Sequence, residues 1–328
     1  MSALPGFVSP SSTANRAAFD VTVVIPLFNK EAFIRRTLES VLGQTLVPRD
    51  IIIVDDSSTD GSVSKITDLM SEHVRIVQQP NAGPGPARNR GIAEAATEWV
   101  ALIDGDDLWR ADHLETLAAV SDAHPEADVL ATSYRRVLPT DLIPSSNQDL
   151  TAISARAFDL FVACSPSPVW SSSVALRRSI IALRGGFDSF WPGEDVEFWT
   201  RLALDHHFAV TDRCTAFYVQ NTGGLMDQCD DAPIPDYQLG PLYRILNDAI
   251  VDPRYADRRA VILAYRNAQI VTNIRQMLFR GKIGVARHFL SELDRFGQGD
   301  AGMLRILARL PAPILKAGLK ARAVLRRR

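Results

Sequence analysis

Three cysteines in 328 residues, Cys164, Cys214 and Cys229, are too few and too scattered for a disulfide framework. No C-x-x-C pair offers a zinc site, and the three read as free thiols of a reducing compartment. No run of about 18 apolar residues occurs, so no transmembrane helix is expected. The first twenty residues lack a basic stretch followed by an apolar one, so no secretory signal is expected either. Neither charge dominates. There are 36 Lys and Arg against 38 Asp and Glu, net −2, which excludes a uniformly basic nucleic-acid binder. With 46% hydrophobic and 23% charged residues, the chain is neither disordered nor collagen-like. No G-x-G-x-x-G follows the first strand and no G-x-x-x-x-G-K-[ST] occurs, which removes both standard phosphate motifs.

What is present is an alternation. Val21–Ile25 is a β-branched run, read as a strand covered on both faces. Helical spacing runs from Glu31 to Leu42, with Gly43 as a stop. Ile51–Val54 is a second strand, followed by a helix from Ser62 to about Met70 and a strand at Val74–Val77. A Gly/Pro loop from Gln79 to Pro86 leads into a helix over Ala87–Ala96, and Trp99–Ile103 is a fourth strand. Strands alternating with helices through short connections predict a parallel α/β sheet. Ligands of such sheets sit beyond the carboxyl ends of the strands. Phe28-Asn29, Asp55-Asp56 and Asp104-Gly105-Asp106-Asp107 each follow a strand, so three polar clusters should meet at one edge. From Tyr237 to about Phe296 the chain reads helical.

Each cluster has a chemical and a bland reading. Asp104 and Asp106 supply hard oxygens of the kind Mg²⁺ or Mn²⁺ takes beside a phosphate; the alternative is an acidic turn with Asp106 or Asp107 as helix N-cap. Asp55-Asp56 can accept from a nucleobase or ribose, or bond its own turn. Phe28 can stack on a base, or lie in the core. The glycines of NAGPGPARNRG permit close approach to an anion at a helix N-terminus, or form a plain strand-to-helix loop. Glu194-Asp195, between Trp191 and Trp199, is a setting for a carboxylate of raised pKa acting as a base, or the acidic first turn of a helix.

Taken in order, the pieces VTVVIPLFNKEAFIRRTLESVLGQT, IIIVDDSSTDGS, NAGPGPARNRGI, VALIDGDDLW and GGFDSFWPGEDVEFWTRLA resemble the family 2 inverting glycosyltransferases over about residues 20–210. The resemblance implies a GT-A fold, a Rossmann-like, mostly parallel sheet flanked by helices, here with a C-terminal helical extension. It implies transfer of one sugar from a nucleotide-diphosphate sugar, with inversion, to a hydroxyl of a glycan or lipid-linked glycan. By position, Pro26 and Phe28 would border the base, Asp56 would accept from it, and Arg88 and Asp104 would lie near the donor. Asp106 would hold Mg²⁺ or Mn²⁺, and Asp195 would deprotonate the acceptor. Glu194, Trp191 and Trp109 are weaker acceptor-side candidates. The Q-x-x-R-W of processive members is absent, so a polymer synthase is not expected. A non-catalytic nucleotide-sugar-binding or membrane-associated scaffold with the same fold is the alternative.

Residues 301–328 stand apart, with eight basic and no acidic side chains interleaved with leucines and isoleucines. The remaining 300 residues therefore carry a net −10. This resembles an interfacial helix for an anionic membrane, against a docked C-terminal helix; without aromatics it does not read as a nucleic-acid binder. The expected organisation is a leader (1–18), a catalytic domain (19–225), a helical extension (226–300) and the basic tail (301–328). The expected place is the cytoplasm, with the tail on the membrane's cytoplasmic face.

Overall fold

The computed structural model describes residues 19–141, 152–156, 161, 169–189, 193–222, 240–279 and 282–294. The leader, Cys164, Trp191, Cys229 and the basic tail lie outside the described residues. The chain divides between Leu242 and Tyr243 into two compact units.

Among the described residues, the first unit is built on a nine-stranded sheet. β1 (Val21–Leu27), β2 (Asp50–Asp55), β3 (Val74–Gln78) and β4 (Trp99–Leu102) lie in the order β3-β2-β1-β4, all parallel. Every residue of β1 except Pro26 is buried, as an uninterrupted apolar strand between helices must be. β5 (Leu108–Trp109), β6 (Val129–Val137), β7 (Ala152–Arg156), β8 (Val174–Arg177) and β9 (His207–Val219) extend the sheet. β8 is antiparallel to both β4 and β6, and β9 runs parallel to β6. The opening strands obey the predicted parallel rule; the later ones mix directions.

The helices depart from expectation at their edges. α1 spans Ile34–Leu42, not Glu31–Leu42. Residues 31–33 form a turn because Glu31 is held by the neighbouring loop, with its N–H on Asp60 Oδ2 at 3.1 Å and its Oε2 on the Gly61 N–H at 3.1 Å. The predicted helix at 62–70 is a short 3₁₀ turn, Ser64–Leu69. α2 (Pro84–Glu94) begins three residues early, since its prolines occupy the first turn, where no N–H is needed. α2 lies directly on β1: a Cβ at Gly91 would come 2.3 Å from Val24 Cγ1. α3 (His113–Ala123) is capped at Asp112, so neither Asp106 nor Asp107 is a helix N-cap. α4 (Ser179–Arg184) and α5 (Glu194–Ala203) flank the second half of the site.

The second unit is helical: α6 (Pro241–Val251), α7 (Arg259–Phe279) and α8 (Ile283–Asp294). The fully buried Arg266 ties its helices together, donating to Asn247 Oδ1 at 2.6 Å and to Glu292 Oε2 at 3.1 Å. Among the described residues no helix is long and apolar enough to cross a membrane.

Candidate active site

The loop after β1 and the Asp-Asp-Ser-Ser-Thr-Asp-Gly-Ser run after β2 clasp each other through backbone groups. Asn29, at φ 50°, takes the Thr59 N–H on Oδ1 at 2.8 Å and donates its own N–H to Ser58 Oγ at 3.1 Å. The Lys30 N–H donates to Ser62 Oγ at 2.7 Å. Short polar side chains that satisfy nearby peptide groups fix such turns without regular structure. Phe28 leaves this clasp with 36% of its surface exposed, so it is not a core aromatic.

Asp55 and Asp56 are both buried, but they do different things. Asp55 Oδ1 takes the Ser58 N–H at 3.0 Å, closing its own turn. Asp56 reaches across to the glycine loop: Oδ1 accepts from Ala82 N at 2.9 Å and Gln79 Nε2 at 2.8 Å, and Oδ2 from Gly83 N at 2.8 Å. Asp56 thereby locks the entry to α2, and any nucleobase contact must share its oxygens with those amides. Pro26 lies within β1, paired with Val54.

The acidic run after β4 splits into three environments. Asp104 Oδ1 accepts from Arg88 Nη2 at 2.8 Å. Asp106 is paired with the Lys30 ammonium and accepts from Thr222 Oγ1 at 2.7 Å. Asp107 points inward, accepting from Ser172 Oγ at 2.6 Å and Val219 N at 3.0 Å. Burial, then the neighbouring Asp106 and Asp104, pushes the Asp107 carboxyl well above the usual range. Among the described residues no three His, Cys, Asp or Glu side chains converge on a point where an ion would sit. The oxygens of Asp104 and Asp106 nonetheless have the right chemistry for Mg²⁺ or Mn²⁺, which take one or two carboxylates and complete their shell with water and phosphate.

Arg88 joins the two sides of the site. It leaves α2 with 4% exposure, donating from Nη2 to Asp104 and from Nη1 to Glu194 Oε1 at 3.0 Å. Burial opposes its charge, but Asp104 and Glu194 outweigh it and hold the guanidinium firmly protonated. The next residue, Asn89, grips the chain before α5: Oδ1 accepts from Phe187 N and Nδ2 donates to Phe187 O, both at 2.7 Å. From α5, Arg201 donates to Arg184 O and, at 2.7 Å, to Gly186 O, while Glu197 Oε1 accepts from its Nε at 2.8 Å. Gly85 is required by this packing, since a Cβ there would lie 2.3 Å from Asp188 O.

Asp195 is the second residue of α5 and lies within electrostatic reach of Arg88 and Asp104. Burial raises its pKa, with Arg88 pulling the other way. Burial and the neighbouring Asp195 raise Glu194 as well. The structure thus gathers Arg88, Asp104, Glu194 and Asp195 into one group, beside Lys30 and Asp106. Trp109, expected on the acceptor side, is buried. It is 3% exposed, its indole N–H donates to Ser172 O at 2.6 Å, and its ring stacks on His113 at 4.1 Å. Lys30, Asn89, Ser172 and Thr222 have site contacts that no sequence pattern pointed to. Lys30 and Asn89 lie within the strand-end and glycine-loop segments, but spacing carries no information on partners 76 and 98 residues away.

Comparison with known proteins gives this arrangement a context. Residues 22–182 match the family model described as Glycosyl transferase family 2. The succinoglycan biosynthesis protein ExoW of Rhizobium meliloti is 40% identical over 100 residues, 29% of this chain and 31% of that protein. The putative glycosyltransferase EpsH of Bacillus subtilis is 34% identical over 116 residues, 35% of this chain and 33% of its own. The matched stretch thus spans about a third of these curated relatives' length. Among solved structures, S. aureus TarS 1-349 in complex with UDP-GlcNAc superposes with a TM-score of 0.60 at 21% identity, covering 76% of this chain and 72% of that one. A mannosyltransferase from Pyrobaculum calidifontis in complex with GDP-Man and Mn²⁺ gives 0.57 at 19% identity, covering 93% and 80%. These neighbours share the GT-A fold expected from the sequence. Residues 22–182, just under half of the chain, thus match glycosyl transferase family 2.

Proposed function

We propose that the protein is an inverting glycosyltransferase that moves one sugar from a nucleotide-diphosphate sugar to a hydroxyl of a glycan or lipid-linked glycan. The observation that carries this reading is Arg88, buried between Asp104 and Glu194, which joins the strand-end acidic run to the helix that bears Asp195. Two distant motifs with complementary chemistry are thereby held in one place. The naming of ExoW as a biosynthesis protein of succinoglycan, and of TarS and the mannosyltransferase with UDP-GlcNAc and GDP-Man, supports a nucleotide-sugar donor and a cell-surface glycan as product.

In this reading Phe28 offers a stacking face to the base, with Pro26 at its border and Asp56 beside it. Asp104 faces the donor. Asp106 would hold a divalent cation, whose chemistry would be to offset the charge growing on the diphosphate leaving group. Asp195 takes the proton of the acceptor hydroxyl, and its raised pKa makes it a stronger base than an exposed aspartate. Glu194 stays paired with Arg88 and fixes the start of α5. Inversion follows from single displacement with one base and no covalent partner. Trp191 remains an acceptor-side proposal. The basic tail is proposed to hold the protein on an anionic membrane, each Lys or Arg contributing on the order of 1 kcal/mol there.

A thermal-shift panel of UDP, GDP, dTDP and CMP with Mn²⁺ tests the donor. One diphosphate nucleotide should stabilise the protein, and Asp106→Ala should abolish the shift; no response to any nucleotide overturns the reading. Asp195→Asn should lower kcat by about 10²–10⁴-fold, the usual worth of a placed base, with nucleotide binding intact. Near-normal turnover would remove Asp195 from the mechanism.

A further inference from the structure

The site holds one cation that the proposed reaction leaves without a part. The Lys30 ammonium sits on Asp106 Oδ2, with the two side chains only 17% and 13% exposed. Thr222 Oγ1 donates to the same oxygen. The backbone of Lys30 is anchored independently through its N–H on Ser62 Oγ. The loop therefore keeps its path without the ammonium, and the charge is a separate feature. It rests on the carboxylate that the proposed reaction assigns to a divalent cation. Two cations at one carboxylate repel strongly in a partly buried site, where charges are screened far less than in water. A monovalent ammonium on a flexible stem can move; a carboxylate fixed at a strand end cannot.

We propose that Lys30 is a resident counter-ion that competes with divalent metal for Asp106, so that metal enters together with a nucleotide diphosphate whose oxygens receive the displaced ammonium. The second half rests on the glycosyltransferase reading; the competition at Asp106 does not. The consequence is a donor-free protein with low affinity for metal alone. Metal and diphosphate then strengthen each other's binding, because the diphosphate offers Lys30 a replacement partner.

Electron paramagnetic resonance of Mn²⁺ on the full chain tests this without reference to turnover. Lys30→Met, which keeps the stem and removes the charge, should bind Mn²⁺ alone at least tenfold more tightly than wild type. Lys30→Arg should behave like wild type, and adding Asp106→Asn to Lys30→Met should cancel the gain. UDP or GDP should strengthen Mn²⁺ binding more in wild type than in Lys30→Met. If Lys30→Met melts early, Lys30→Gln serves as the second neutral variant. A folded neutral variant with unchanged or weaker Mn²⁺ binding overturns the proposal, as does a gain that survives Asp106→Asn. If neither nucleotide strengthens Mn²⁺ binding in wild type while Lys30→Met still gains tenfold, the coupling to donor and the glycosyltransferase reading fall, and the competition stands.

Discussion

The two sides of the candidate site are built by opposite means. The strand-end side is assembled from neighbours: the loops after β1 and β2 satisfy each other's backbone through Asn29, Asp60 and Ser62, Asp55 closes its own turn, and Asp56 holds the glycine loop. The side that bears Asp195 is held from afar, chiefly by side chains of two helices, with Arg88 and Asn89 on α2 and Arg201 on α5. The first side is many small contacts, each replaceable. The second concentrates its geometry in a few buried groups, so single substitutions should reach it far more easily.

Arg88→Met should have the largest effect. It leaves the buried Glu194 without its guanidinium, and removing one partner of a buried ion pair costs about 3–5 kcal/mol. Urea unfolding should show that loss, and turnover should fall even where nucleotide still binds. If Arg88→Met matches Asn29→Ala in stability, the contrast between the two sides is wrong.

Acidification is the next test. His113, at the start of α3, is fully buried against Trp109, its Nδ1 2.7 Å from Thr215 Oγ1, and burial depresses its pKa from 6.5 to about 3. The folded state therefore binds fewer protons than the unfolded one below pH 6.5. Its stability contribution is complete above that pH and is lost as pH falls toward 3, by up to about 1.4 kcal/mol per pH unit. His113→Phe, which keeps a ring against Trp109, should flatten the decline in unfolding free energy between neutral and mildly acid buffer.

Asn89→Ala should cost about 1–3 kcal/mol, since it strands the peptide N–H and C=O of Phe187. Its kinetic signature should be a weaker acceptor step with donor binding unchanged. The smallest effect is expected at Asp107→Asn. The burial that raises the Asp107 pKa favours a neutral group there, and an amide can accept from Val219 N while donating to Ser172 Oγ. The melting temperature should move little, whereas Asp107→Leu should unfold the site.

The same contrast explains what was legible in the sequence. The four opening strands, their parallel order and the meeting of Phe28, Asp55 and Asp104 at one edge follow from apolar periodicity and the strand-end rule, because these are local properties. Helix edges were misplaced where a side chain had a nonlocal partner, as at Glu31. The antiparallel entry of β8 left no local mark. The burial of Trp109 has no local signature, since its indole N–H reaches a carbonyl 63 residues away. The inward turn of Asp107 and the pairing of Lys30 with Asp106 depend on which groups share a space, and no spacing encodes that.

The reach of α2 has a consequence for how the molecule comes to be active. Its two contacts to the Asp195 side join residues 106 and 98 positions apart. Closing a flexible loop of such length costs about 4 kcal/mol of chain entropy before any contact compensates, and long-range closures slow folding. The loops of the first side come together across about thirty residues. The strand-end side should thus form early and the helix that bears Asp195 arrive last. Pulse-labelled amide exchange during refolding should show residues 21–60 protected before 186–200, with donor affinity regained ahead of turnover.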